Sequence, residues 1–216
     1  MTLRQHFDES LEEVRSEVIR MGGVARDMVK MAVDAALNGE IELAAEVIRM
    51  DDEVDRLEEE LVQKTVLVVM REQPVGADLR HLAATLGVIG EIEKVADDAV
   101  KLARRATKLS TSFPAEMKAA LVAMGEVART AFASSLMLYS EYDDAHAHEI
   151  IRSDKEVDMQ YRSAREKVFA LIKKNPDATE QLVRTIEIFH ALEHVADHAV
   201  EIAARLQLHH GRQAHE

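Results

Sequence analysis

Carboxylates recur in this sequence at a spacing that suits cation binding. Glu93 and Asp97 lie four residues apart, and so do Glu193 and Asp197, in stretches reading Glu93-Lys94-Val95-Ala96-Asp97-Asp98-Ala99-Val100 and Glu193-His194-Val195-Ala196-Asp197-His198-Ala199-Val200. The two stretches are 193 − 93 = 100 positions apart. Asp51/Asp55 and Asp154/Asp158 repeat the spacing elsewhere. On a helix, residues i and i+4 share a face. Val95, Ala96, Ala99, Val100 and Ala103 then make an apolar arc, with Glu93 and Asp97 just past its edge. Like charges so placed repel by about 0.2–0.5 kcal/mol on an isolated helix. A bound cation would offset that. Oxygen-only ligands suit Mg²⁺, Ca²⁺, Mn²⁺ or iron, and four carboxylates in one cluster need more than one ion to approach neutrality. The bland alternative is a solvated acidic helix face, since the chain carries 40 acids.

The elements that must position these groups are helices. Only eight Gly and three Pro interrupt 216 residues rich in helix formers. Helix one is expected from about Phe7 to Leu37, with Val14, Val18, Met21, Ala25 and Met28 at helical spacing, and Asn38-Gly39 as its stop. Gly22-Gly23 inside it reads as close packing or a mild bend. Helix two runs from about Ile41 to Arg71 and ends at Gln73-Pro74-Val75-Gly76. Asp78 is read as the N-cap of helix three, which continues to about Leu109. Ser110-Thr111-Ser112-Phe113-Pro114 is the strongest linker signal. Helix four spans about Ala115 to Ser140. Helix five, capped by Asp143 or Asp144, reaches about Lys174. Helix six follows a capping box at Asp177-Ala178-Thr179-Glu180 and reaches about Leu208.

The two halves repeat one another. Met21-Gly22-Gly23-Val24-Ala25-Arg26 returns as Met124-Gly125-Glu126-Val127-Ala128-Arg129, and Ile48 to Asp55 returns as Ile151 to Asp158. Gln73-Pro74 returns as Asn175-Pro176. Four matches in the same order indicate duplication. The expectation is an all-α fold with a first unit at 1–110, a second at 114–209, and a polar tail at 210–216. Short antiparallel connections would let Asp51, Asp55, Glu93 and Asp97 converge in one half, and Asp154, Asp158, Glu193 and Asp197 in the other.

Charge and composition exclude several classes. The net charge is −13, which argues against nucleic acid and anionic membranes as direct partners. Trp is absent, so base-stacking platforms are not expected. With no Cys there are no disulfides, thiolate metal sites or Cys nucleophiles. The N-terminus holds no signal peptide. The longest apolar run, Val66 to Met70, is too short to span a bilayer. A cytoplasmic protein without membrane insertion is expected. Glu187-x-x-His190 has the spacing of ferritin-like di-iron helices, but Gly87 and Gly90 stand at the matching places. His146 and His148 read as solvated. His194 and His198 read as surface groups or auxiliary ligands, because Lys94 and Asp98 occupy their matching places.

At these motifs the chain resembles the PhoU family of bacterial phosphate-uptake regulators. The resemblance rests on Met21-Gly22-Gly23, on Gln73-Pro74 with Asp78-Leu79-Arg80, on Asp154-Lys155-Glu156-Val157-Asp158, and on the duplicated Glu/Asp motifs. The family's last motif often reads Glu-Arg-Ile-Gly-Asp. Here Lys94 and His194 replace the Arg, Ala96 and Ala196 replace the Gly, and Lys101 and Glu201 stand where Asn is frequent. Neither Lys nor His offers the Arg fork. The resemblance implies two tandem three-helix bundles, with metal clusters on the acidic motifs whose ion is iron, zinc, manganese or magnesium. It further implies a homodimer without enzymatic activity that represses the phosphate-starvation response. Its partners would be the ATPase subunit of a phosphate ABC transporter and a sensor histidine kinase. The alternatives are a carboxylate-bridged metal enzyme and a structural or metal-storage helical protein.

Overall fold

In the computed structural model, which describes residues 3–109 and 112–213, six long helices follow one another: α1 (Leu3–Asn38), α2 (Ile41–Glu72), α3 (Gly76–Ala106), α4 (Ala115–Ser140), α5 (Asp144–Lys174) and α6 (Thr179–Gln213). No strand occurs among the described residues. The helices form two three-helix units, α1–α3 and α4–α6, as the duplication predicts. The units join through α3 against α6 and α1 against α4. Among the described residues, α2 leans only on α1 and α3, and α5 packs on α4, α6 and the short turn before α6. The interior is therefore built from α1, α3, α4 and α6, with α2 and α5 as outer helices.

One continuous core fills both units. The apolar residues expected on α1 are buried at Val14, Val18, Met21, Ala25 and Met28, and the α3 arc of Val95, Ala96, Ala99, Val100 and Ala103 is buried throughout. Phe113, Phe132 and Phe189 are fully enclosed, each worth about 1.5–3 kcal/mol relative to exposure. Phe113 belongs to the linker and packs its ring against Phe189 of α6. Gln181 and Arg184 of α6 also hold linker carbonyls at Ser112 and Lys108. The linker is thus pinned on both sides of Ser110 and Thr111, which lie outside the described residues.

Several boundaries differ from the sequence expectation, each for a local reason. Asp78 does not cap α3. Val75 holds the N-cap position in extended geometry, and Gly76 takes a φ of 58° that suits glycine, which places Asp78 in the first turn. A carboxylate there still favours the positive end of the helix. No capping box forms at Asp177. Pro176 starts a 3₁₀ turn over Pro176–Ala178 instead, and Thr179 Oγ1 donates back to the Pro176 carbonyl. Asp143 does cap α5, accepting from the His146 N–H at 2.7 Å. α3 stops at Ala106, short of Leu109. α6 runs past the expected Leu208 to Gln213, with His209 buried, and so enters the stretch read as tail. Residues 214–216 lie outside the described residues. α4 is long and apolar enough to cross a membrane by length and composition, but half of that stretch is buried in the core.

The α1–α4 crossing shows the duplication in atomic detail. A Cβ added at Gly22 of α1 would lie 2.6 Å from the Leu136 side chain of α4. One added at Gly125 of α4 would lie 3.3 Å from Val33 of α1. The contacts are reciprocal, since 125 − 22 and 136 − 33 both equal 103. Gly23 has open space where its Cβ would go. Of the two readings offered for the glycine pair, close packing holds at Gly22. Replacing Gly23 with Ala should therefore raise stability by about 0.5–1 kcal/mol through helix propensity. Gly22→Ala should lower it by about 1–3 kcal/mol through overpacking against Leu136. Urea unfolding of the two variants checks the opposite signs.

Candidate functional site

The acidic pairs flank the core, as their phase on the helices requires. Glu93 and Asp97 of α3 are half-buried beside the arc, and Asp51 of α2 is half-buried opposite. Burial raises the Asp51 carboxyl above its ordinary value, and Asp55 and then Asp97 raise it further. Burial also raises Glu93, reinforced by Asp97, Glu58, Asp55 and Asp51. The four expected carboxylates thus act on one another electrostatically across the contact of α2 with α3. Glu58 is a fifth member, itself raised by burial and by Asp55. It lies one further turn along the Asp51/Asp55 face, which is the signal that could have found it.

The second half builds the matching cluster between α5 and α6. Asp197 is pushed up to about 6, first by burial and then by Glu193 and Asp154, with Asp158 adding and His194 opposing. Tyr161 occupies the place that Glu58 has in the first half. Both clusters are open. Among the described residues, the only three groups that bring ligand atoms within 4.8 Å of one another are His190, Glu193 and His194.

A second polar site lies on the seam between the two halves, where α3 meets α6. Glu91 and Asp98 are buried there, and His198 sits between them. Its Nδ1 is 2.9 Å from Glu91 Oε2, and its Nε2 is 3.3 Å from Asp98 Oδ2. With a carboxylate at each ring nitrogen, the imidazolium is favoured. Burial alone would lower the pKa of His198, but the Asp98 and Glu91 contacts outweigh it and raise the value. Burial likewise works against ionisation of both acids, yet Lys94 and His198 hold Glu91 below its ordinary value, and His198 and Lys101 do the same for Asp98. His198 is thus neither a surface group nor a ligand of the acidic cluster, contrary to the sequence expectation.

Arginines extend this seam. Arg105 of α3 pairs with Glu187 of α6 at 2.8 Å. Arg205 stands at the matching place in α6, but Gly87 replaces the glutamate. A Cβ at Gly87 would meet Arg205 Cδ at 2.5 Å. Arg205 therefore passes over the glycine and reaches Glu91 one turn further, at 3.4 Å. Pairing Glu187 with Arg105 also separates it from the role suggested by Glu187-x-x-His190. His148 is exposed, and its Nδ1 meets the Asp144 carbonyl at the start of α5.

A family profile described as the PhoU domain matches residues 18–106 and again residues 121–206. The chain belongs to the PhoU family. It is 28% identical over 202 residues to the phosphate-specific transport system accessory protein PhoU homolog of Pseudomonas aeruginosa, covering 93% of this chain and 84% of that one. The crystal structure of PhoU from Pseudomonas aeruginosa is similar with a TM-score of 0.89 and 27% identity, over 94% of this chain and 98% of that one. A regulatory protein of the phosphate transport system from Streptococcus pneumoniae, also PhoU, shares the fold at a TM-score of 0.86 and 20% identity, over 94% of this chain and 96% of that one. The family is one of accessory and regulatory proteins and not of enzymes.

The seam generates a stability prediction. Removing His198 takes one partner from each of two buried carboxylates, which keep Lys94 and Arg205 at Glu91 and Lys101 at Asp98, and removing Asp98 leaves His198 with Glu91 alone. His198→Ala and Asp98→Ala should each destabilise by about 1–3 kcal/mol. The double variant should lose less than the sum of the two, because each single change already breaks the shared contact. Denaturant unfolding of the full cycle measures this coupling, and strict additivity would contradict it.

Proposed function

We propose that this protein is an accessory regulator of a phosphate-specific transport system. In this reading it represses the phosphate-starvation response by linking the transporter's ATPase subunit to a sensor histidine kinase, and it acts as a cytoplasmic homodimer. The observation that carries the reading is the pair of PhoU matches together with a relative, named as such an accessory protein, that aligns over 93% of the chain. Physical features support it. The net charge of −13 favours basic patches on partners and salt-sensitive association. A regulator acts only through differential affinity for two states of its partner, so no catalytic apparatus is required.

The acidic clusters belong to the same reading as cation sites. Asp51, Asp55, Glu93 and Asp97, joined by Glu58, would hold ions between α2 and α3. Asp154, Asp158, Glu193 and Asp197 would do so between α5 and α6. The donor set fits, because the half-buried carboxylates raise one another's pKa values, and Arg104 near Asp51, Lys101 near Asp97 and Arg162 near Asp158 supply only part of the positive charge needed for balance. A divalent ion would supply that charge and tie each outer helix to the interior.

Two outcomes test these statements. Deleting a sole genomic copy should make phosphate-starvation genes constitutive in high phosphate, and binding to the ATPase or kinase should weaken as salt rises. Continued repression in the deletion strain would overturn the regulatory reading. Metal bound only to the folded state stabilises it by mass action. A chelator should therefore lower the melting temperature, and Asp97→Asn combined with Asp197→Asn should abolish that response. Unchanged metal content in this double variant would rule the sites out.

A further inference from the structure

The two repeats differ where the outer helix turns back toward the interior. α4 begins at Ala115, the counterpart of Glu12 at the offset of 103, so α1 carries 12 − 3 = 9 helical residues that α4 lacks. Those residues have a task in the first repeat. Phe7 is buried with Val68, near the end of α2, and Leu82, near the start of α3, and Leu11 and Val69 pack against the three. Phe7 and Leu11 stand at i and i+4, the spacing of one helix face.

The second repeat keeps the receiving pair of positions but not the residue they receive. Leu171 of α5 holds the place of Val68, and Leu182 of α6 holds that of Leu82, since 171 − 68 = 103 and 182 − 82 = 100. The place of Phe7 falls by number at Ser110, in the linker and outside the described residues, and that of Leu11 falls at Pro114. Leu171 and Leu182 line a cavity of about 760 Å³, walled by the linker, the end of α5, the 3₁₀ turn and the start of α6. That volume suits a bound side chain or small ligand. Phe113 does not fill the cavity. Its ring packs on Phe189, 189 − 182 = 7 residues beyond Leu182 along α6, and forms part of the wall. Charge does not select the occupant, because the exposed rim mixes Glu116 and Asp177 with Lys118 and Lys174, and Glu180 is paired with Arg184.

We propose that this cavity is a docking groove for an amphipathic helix of a partner protein, one that presents an aromatic residue and, four positions on, an aliphatic residue. The first repeat supplies the template, because the start of α1 is such a helix, seated on the same pair of positions within one chain. A helix laid into an apolar groove with anchors at i and i+4 is a recurrent mode of recognition. A second copy of this chain is a poorer occupant, because its own Phe7 is already buried in its own first repeat, at 5% exposure. The inference does not depend on cations in the acidic clusters.

The test uses the full chain, with a helix-stapled peptide of residues 5–16 as the probe, since that sequence carries Phe7 and Leu11. Fluorescence anisotropy should show saturable binding, weakened at least about tenfold by Phe7→Ala in the peptide. Ala115→Trp, at an exposed lining position of the protein, should weaken it to a similar degree. Raising salt from about 0.05 M to about 0.5 M should change the affinity by less than about threefold, because the contact is apolar. Isotope-filtered NMR on the unsubstituted protein should show the peptide's Phe ring against the methyl groups of Leu171 and Leu182. Absence of saturable binding would overturn the proposal. Peptide contacts to Val68 and Leu82 would also overturn it, since they mean exchange with the chain's own α1. Dissociation of a dimer by the peptide would assign the groove to a second copy and overturn it likewise. The NMR contacts are read on the unsubstituted protein, so the outcome does not depend on a variant folding.

Discussion

The structure depends on how α3 and α6 meet. Each carries an apolar arc that must be buried, and each carries acids on or beside that arc. Most of the acids at the edge escape into the clusters facing α2 and α5. Glu91 and Asp98 do not, and they are buried in the interface that joins the two halves. Unpaired, these ions would be strongly destabilising. The pairing of His198 with both, supported by Lys94, Lys101 and Arg205, makes the interface possible. Such a network fixes register as well as charge, because a shift of one turn would leave buried ions without partners.

The same constraint links the seam to the candidate metal sites. Asp97 and Asp98 are adjacent on α3 but face different environments, the first toward α2 and the second toward α6. Asp197 and His198 divide in the same way on α6. Each motif therefore serves two interfaces at once: one residue belongs to a cluster within its own repeat, and the next holds the other repeat. A change in the charge of a cluster acts on a helix that also carries the seam. A cation at either cluster, as proposed, would act on the same helix that holds the two halves together.

Much of this was legible in the sequence, in a graded way. Helix identity followed from composition and periodicity, and the duplication followed from motifs in matched order. The four acidic pairs were legible because each repeated at matched positions. Glu58 was hidden inside a run of three glutamates, where periodicity cannot single out one member. Glu91 and Asp98 were hidden for a different reason. Their matching residues are Ala191 and His198, so duplication gave no signal, and a lone charge near an apolar arc looks like a surface group until the facing helix is known. Helix boundaries failed where backbone geometry outweighed side-chain preference, as at Gly76 and Pro176. Helix six runs past the expected Leu208, where His209 is buried beside His81 of α3, a residue distant in sequence.

The account turns on whether half-buried carboxylates at matched places in the two repeats are cation sites and not merely acidic helix faces. Anomalous diffraction from crystals soaked in manganese or zinc measures this most directly. The account predicts anomalous peaks between α2 and α3, beside Asp51, Glu93 and Asp97, and between α5 and α6, beside Asp154, Glu193 and Asp197. Well-diffracting crystals with no peak at either cluster, or with peaks only at lattice contacts, would contradict it.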